Sequence, residues 1–208
     1  LSVVLATFQE EANIKKCLDS FRDIADEIIV VDESSTDKTR EIATSLGAKV
    51  YKEPHEPIFH ITKNKAIAKA TSDWILQMDA DERLTPELKR EILDLLDGKY
   101  FGYDKWLSPV KTIINNFFPI FNAPKKLEKP AAAYWLPRRN FFLGRYLHHT
   151  GQYPDPVIRL FQKGMAVLPA KDVHEQMSVK GITGWLKNDL DHYATPEFSR
   201  YLLREDRY

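Results

Sequence analysis

Cysteine is almost missing from this chain, with Cys17 the only one in 208 residues. That excludes an internal disulfide framework and any zinc site built from clustered thiolates. No apolar run approaches the roughly 18–20 residues that a membrane-spanning helix needs, and no signal-peptide pattern opens the chain. The first residues already read as a strand, which is expected of a trimmed piece of a longer protein and leaves a C-terminal anchor beyond it open. There is no internal repeat and no low-complexity tract, so solenoids and disordered linkers drop out. Net charge is absent as well, since 30 Lys/Arg meet 30 Asp/Glu. A nucleic-acid binder is normally basic, so nucleic acid is not an expected partner.

What is present is an uneven distribution of charge. Residues 1–98 hold 13 Lys/Arg and 20 Asp/Glu, a balance of −7, whereas residues 99–149 hold 9 and 2, a balance of +7. Residues 150–208 are balanced at 8 and 8. The middle segment also carries 12 of the 24 aromatics. An acidic module followed by a basic, aromatic one suggests that each faces a different partner.

The acidic module alternates strand and helix. Ser2-Val3-Val4-Leu5-Ala6 and Glu27-Ile28-Ile29-Val30-Val31 are short β-branched runs suited to strands buried on both faces. Ile14, Cys17, Leu18 and Phe21 recur at helical spacing, with Cys17 on the apolar face. Thr36 to Leu46 reads as a helix stopped by Gly47, Ala48 to Tyr51 as a strand, and Ile61 to Ala70 as a helix. Trp74 to Met78 is a fourth strand, and Thr85-Pro86 is an N-cap and first-turn pair opening another helix. This order predicts an α/β fold with a mostly parallel sheet and ligands at the carboxyl ends of its strands.

Those ends are acidic: Thr7-Phe8-Gln9-Glu10-Glu11, Asp32-Glu33-Ser34-Ser35-Thr36-Asp37 and Asp79-Ala80-Asp81-Glu82. Carboxylates gathered where an anionic ligand is expected call for a cation between them. Mg²⁺ or Mn²⁺ suits such oxygen donors and keeps substrate phosphates in its shell.

These segments resemble the family 2 glycosyltransferases. Ser2 to Glu10 looks like the family's opening strand and nucleotide loop, Ile29 to Asp37 its V-V-D-D-G-S-T-D segment, and Lys63-Asn64-Lys65-Ala66 through Asp79-Ala80-Asp81-Glu82 its R-N-x-G/A and D-A-D-D/E segments. Ala6, Gln9, Glu33-Ser34 and Lys63 depart from the usual residues. Arg138 to Arg145, Arg159-Leu160-Phe161 and Val173-His174-Glu175 resemble a subgroup that builds bacterial surface glycans, with lipopolysaccharide-core β-1,4-glucosyltransferases nearest.

The resemblance implies a GT-A fold and a metal-dependent, inverting transfer from a nucleotide-sugar, UDP-glucose in the first instance. It puts Thr7, Phe8 and Glu10 at the nucleotide, Asp32 at the base, Lys63 at the diphosphate, and Asp79 at the ribose or metal. Asp81 would ligate the divalent ion. The base that takes the acceptor's proton comes later in the chain, with Glu175 favoured over Asp155. His174 is a further candidate metal ligand and Arg159 a candidate for the diphosphate. A sugar-phosphate nucleotidyltransferase is the alternative enzyme, although the loop after the first strand has neither the glycines nor the cations for it. A non-catalytic saccharide- or partner-binding module is the alternative of another class.

In the basic segment, Trp106, Leu107, Val110, Ile113, Ile114, Phe117, Phe118 and Phe121 form a helical apolar stripe after Ser108-Pro109. Lys125, Lys126, Lys129, Arg138, Arg139 and Arg145 follow. Such a stripe serves as core packing, as a homodimer contact, or as a surface at residues 106–145 for anionic membrane and a lipid-linked acceptor. The expected location is cytoplasmic, including the inner face of the cell membrane. Three stretches of one GT-A domain are thus expected: 1–98 for the donor, 99–149 for the insertion, and 150–208 for acceptor and base.

Overall fold

The computed structural model describes residues 1–106, 124–148, 153–170 and 176–195. Its centre is β1 (Ser2–Thr7), buried at every position because neighbouring strands and both faces cover it. β2 (Glu27–Asp32) and β4 (Trp74–Met78) pair with it in parallel, and β3 (Lys49–Lys52) adds beyond β2. The crossovers between these strands carry α1 (Ile14–Asp19), α2 (Thr39–Ser45) and α3 (Phe59–Lys69). α2 starts three residues later than its apolar spacing predicts. Asp37 turns its carboxylate onto the Thr39 amide (2.9 Å) and hydroxyl (2.5 Å), so the residues before Thr39 form a capping turn instead of a helical one.

After β4 the chain forms β5 (Glu82–Leu84), a short strand with no periodicity to announce it, and then α4 (Pro86–Leu96). α4 begins as its sequence predicts, with the Thr85 hydroxyl accepting from the Leu88 amide at 3.1 Å and Pro86 in the first turn. The later chain returns to the same sheet. β6 (Ala133–Leu136), β9 (Val157–Gln162) and β12 (Thr183–Trp185) complete seven strands in the order β12-β6-β9-β4-β1-β2-β3. β9 runs antiparallel to β4. Beside this sheet, β7 (Arg138–Phe142), β8 (Arg145–Tyr146) and β13 (Leu190–Thr195) join β5 in the order β5-β13-β7-β8. β10 (Ala166–Val167) and β11 (Ser178–Val179) form a separate antiparallel pair.

Alternation along β1 divides the core. Val3 and Leu5 face Ile14, Cys17, Phe21 and the α4 residues Leu88 and Ile92, while Val4 faces Ala66, Ile75, Phe161 and Met177. Each Val, Leu, Ile, Phe or Met among them contributes about 1.5–3 kcal/mol by leaving water. Two polar joints fasten the periphery. Glu91 accepts from the Lys187 and Asn188 amides at 2.8 and 2.9 Å, tying α4 to the approach of β13. Gly102, at φ +76°, lets the backbone of Tyr103 bond both ways with Trp185, where a Cβ would fall 2.6 Å from the Trp185 carbonyl oxygen.

Glu27 is the third joint, at the start of β2. It accepts from the Ser2 hydroxyl (2.6 Å), the Thr71 amide and hydroxyl (both 2.7 Å) and Lys49 (3.0 Å). Burial opposes its ionisation, but these donors outweigh burial and hold its carboxyl down at about 2. A depressed carboxylate gives stability that is complete above the ordinary Glu range and lost as pH falls toward 2. Glu27→Gln is therefore expected to cost about 1.5–3 kcal/mol at pH 7. In urea melts the gap between variant and wild type should close between pH 4.5 and 2, where the folded Glu27 carboxyl takes up its proton.

Candidate active site

The register of the sheet gathers the predicted residues at one end. Thr7 at the end of β1 lies opposite Asp32 at the end of β2, and its hydroxyl donates to Asp32 Oδ2 at 2.8 Å. Asp32 is wholly buried and also accepts from the amide and hydroxyl of Ser35, at 2.8 and 2.6 Å, with Arg40 Nε at 3.3 Å. Its charge holds the ends of β1 and β2 together. Glu33, the next residue, is equally buried, accepting from Thr62 at 2.5 Å. Its other oxygen stands 2.6 Å from His55 Nδ1 without hydrogen-bond geometry. The His55 ring lies 5.0 Å from that of Phe8, which is 41% exposed and marks the open rim. Glu10 accepts from the Asn13 side chain at 2.8 Å, and its amide donates to Thr39.

Asp79, directly after β4, is bracketed by cations. Lys63 Nζ from α3 stands 2.6 Å from one oxygen and Arg159 from β9 2.5 Å from the other. Burial would push the Asp79 carboxyl up, yet these two charges hold it far below the ordinary carboxylate range. Arg159 is itself buried, and also donates to Gln77 (2.5 Å) and Glu82 (2.7 Å). Burial disfavours its charge, but Asp79 and Glu82 raise its pKa above the usual arginine value. Glu82 has no exposed side chain. Its Oε1 takes Arg159 and, at 3.4 Å, Arg138, and its Oε2 takes the Asp79 amide at 3.0 Å. Arg138 reaches on to Asp155, at 3.0 and 2.5 Å, where the Asn140 amide joins it at 3.1 Å.

Asp81 points elsewhere. Its Oδ2 stands 3.4 Å from His192 Nε2 on β13. Burial raises the Asp81 carboxyl, and His192 more than offsets that and leaves it lowered. The imidazole is oriented from behind, with Nδ1 2.6 Å from Asn140 Oδ1. Because the Asn140 amide nitrogen faces the Asp155 carboxylate, its oxygen faces His192, so Nδ1 donates. A cavity of about 260 Å³ opens beside this group, lined by His60, Lys63, Asp79, Arg138, Arg159 and Gln176 among others.

The structure thus joins Thr7 with Asp32, and Lys63, Asp79 and Arg159 with one another, and links Asp155 to them through Arg138. Glu175 and His174 lie outside the described residues, as does the apolar stripe over residues 107–123. The residues that strand and motif reading did not single out are His55, His60, Asn140 and His192. His192 becomes a neighbour of Asp81 only through the pairing of β13 with β5, where it lies opposite Glu82. A lone histidine late in the chain carries no local signal of that.

The central cation is expected to be indispensable to folding. Arg159→Met leaves the half-buried Asp79 beside the buried Glu82 without the charge between them, and urea melts should show a loss of about 3–5 kcal/mol at pH 7.

The chain matches the family described as Glycosyl transferase family 2 over residues 2–164. An uncharacterized glycosyltransferase of Rickettsia bellii is 46% identical over 94 residues, which are 44% of this chain and 31% of that protein. The SPbeta prophage-derived glycosyltransferase SunS of Bacillus subtilis is 35% identical over 108 residues, 50% of this chain and 26% of SunS. The chain therefore spans less than a third of the length of these relatives. Among solved structures, S. aureus TarS aligns with a TM-score of 0.57 over 98% of this chain and 38% of its own, at 16% identity, which bears on the fold alone. With its mostly parallel sheet, its acidic strand ends and a family match across most of its length, the chain belongs to glycosyl transferase family 2 and has the GT-A fold.

Proposed function

We propose that this chain is the catalytic domain of a metal-dependent, inverting glycosyltransferase. It moves a sugar, glucose in the first instance, from a UDP-sugar to a lipid-linked or lipopolysaccharide-type saccharide. The observation that carries this reading is the division of labour between two carboxylates a residue apart. Asp79 is neutralised by Lys63 and Arg159, whereas among the described residues Asp81 has one imidazole at ion-pair distance.

The donor is laid along the strand ends. Its base rests against Phe8 at the rim, with Asp32 fixing the two loops beside it. Its diphosphate meets Lys63, already held at Asp79. Beyond Asp79, over β9, the cavity of about 260 Å³ takes the sugar.

A divalent cation, Mn²⁺ or Mg²⁺, fits the donor set at Asp81. Asp81 and His192 would hold such an ion, and Asn140 would give the imidazole the outer support that metal-bound histidines commonly have. Among the described residues no three His, Cys, Asp or Glu side chains converge, so water and diphosphate oxygens would complete the shell. When bound, the ion supplies Lewis acidity toward the departing diphosphate. Glu175, immediately before the cavity-lining Gln176, accepts the acceptor hydroxyl's proton while that oxygen attacks the anomeric carbon and the bond to diphosphate breaks. Asp155 is a weaker base for this step, since Arg138 and Asn140 already occupy its Oδ2.

The nucleotidyltransferase alternative lacks support, because Phe8 to Glu11 offer no cation to a triphosphate. Asp81→Ala is expected to lower sugar transfer about 10³-fold, as does excess chelator, with the thermal melt of the variant close to wild type. Full transfer in either case refutes the metal reading. Glu175→Gln should lower transfer about 10²–10⁴-fold while calorimetric affinity for UDP-glucose stays within twofold.

A further inference from the structure

The geometry points to His60 as the residue that reads the transferred sugar, its Nε2 accepting a hydrogen bond from a hexose hydroxyl. This inference rests on the donor reading above and carries it from the nucleotide to the sugar.

His60 lies in the first turn of α3 and is only 6% exposed. Its Nδ1 stands 2.9 Å from the carbonyl oxygen of Pro169. A carbonyl can only accept, so Nδ1 carries the hydrogen, and in the neutral ring Nε2 keeps a lone pair. Among the described residues nothing donates to that nitrogen. The ring cannot turn without giving up Pro169, and one helical turn later Asn64 fastens the same segment. Its amide nitrogen donates to the Leu168 carbonyl at 2.7 Å, and its oxygen accepts from the Leu168 amide at 3.1 Å. The lone pair is thus held in place before any ligand arrives.

The cavity His60 lines is short of acceptors. Lys63, Arg138 and Arg159 are donors, the two oxygens of Asp79 are engaged by Lys63 and Arg159, and beside His60 the other strong side-chain acceptor in the lining is the amide oxygen of the exposed Gln176. A sugar hydroxyl entering there finds its buried, pre-oriented acceptor at His60. Topology says which part of the donor enters. The base lies toward β1 and β2, the diphosphate at the end of β4, and β9 is the neighbour of β4 on the opposite side from β1. What reaches the β9 side lies beyond the diphosphate, and that is the sugar.

The test is calorimetric binding of UDP and of UDP-glucose, each with Mn²⁺, to wild type, His60→Asn and His60→Gln. An Asn amide nitrogen stands near the place of Nδ1 and keeps the Pro169 contact without Nε2, whereas Gln restores a polar atom near Nε2. UDP affinity should stay within twofold throughout. UDP-glucose affinity should fall about 3–10-fold in His60→Asn, the worth of one uncharged hydrogen bond, and recover in His60→Gln. Unchanged UDP-glucose affinity in His60→Asn overturns the proposal, and so does a parallel loss of UDP, which marks a purely structural role. A wild type that binds neither ligand refutes the donor reading, and the His60 assignment with it. Should His60→Asn fail to fold, wild-type affinities for deoxy analogues of UDP-glucose decide. Loss of one hydroxyl must cost the same factor, and equal affinities at every position overturn the assignment.

Discussion

The buried guanidinium of Arg159 is the constraint around which the rest is arranged. A charge taken out of water is tolerated only when partners surround it, and here Gln77, Asp79 and Glu82 do so from strand β4 and the turn after it. The antiparallel pairing of β9 with β4 makes this possible, because it delivers a residue from late in the chain to the carboxyl end of an early strand. Remove the pairing and the acidic turn has no countercharge. Remove the arginine and the two halves of the sheet meet across two like charges.

From that centre charge spreads outward as an alternating chain. Lys63 extends it to α3, Arg138 to Asp155 and β7, and Asn140 to His192. Asp81 stands apart, with one imidazole and no guanidinium at ion-pair distance among the described residues. Whether a carboxylate of this turn is tied into the buried ion-pair network is thus set by whether an arginine or lysine can reach it. Two residues along the chain suffice to move from one condition to the other.

The parallel half of the fold was legible because burial on both faces leaves an unmistakable mark, as in Ser2–Ala6 and Glu27–Val31. Acids at the strand ends were legible for the same reason, since they interrupt runs that are otherwise apolar. Residues whose role arises from pairing were not. β5 is three residues long, and His192 acquires its neighbour from a register set between distant segments. His60 has nothing around it in the sequence to say that Pro169 would choose its tautomer. Arg159 could be singled out as a cation of the site, but its degree of burial depends on a strand direction that periodicity does not reveal.

The direction of β9 has a consequence for how this architecture diversifies. α4 leaves the sheet after Leu84, and the chain re-enters at β6 and β9, whose registers are fixed by backbone bonds to each other and to β4. None of the described residues between Leu96 and Ala133 belongs to the seven strands, and closing a longer loop costs little, about 0.6 kcal/mol for each doubling. Chain can therefore be inserted, exchanged or shortened there while Arg159 still arrives opposite Gln77. One scaffold can present many different surfaces there without disturbing the buried guanidinium and the carboxylates around it.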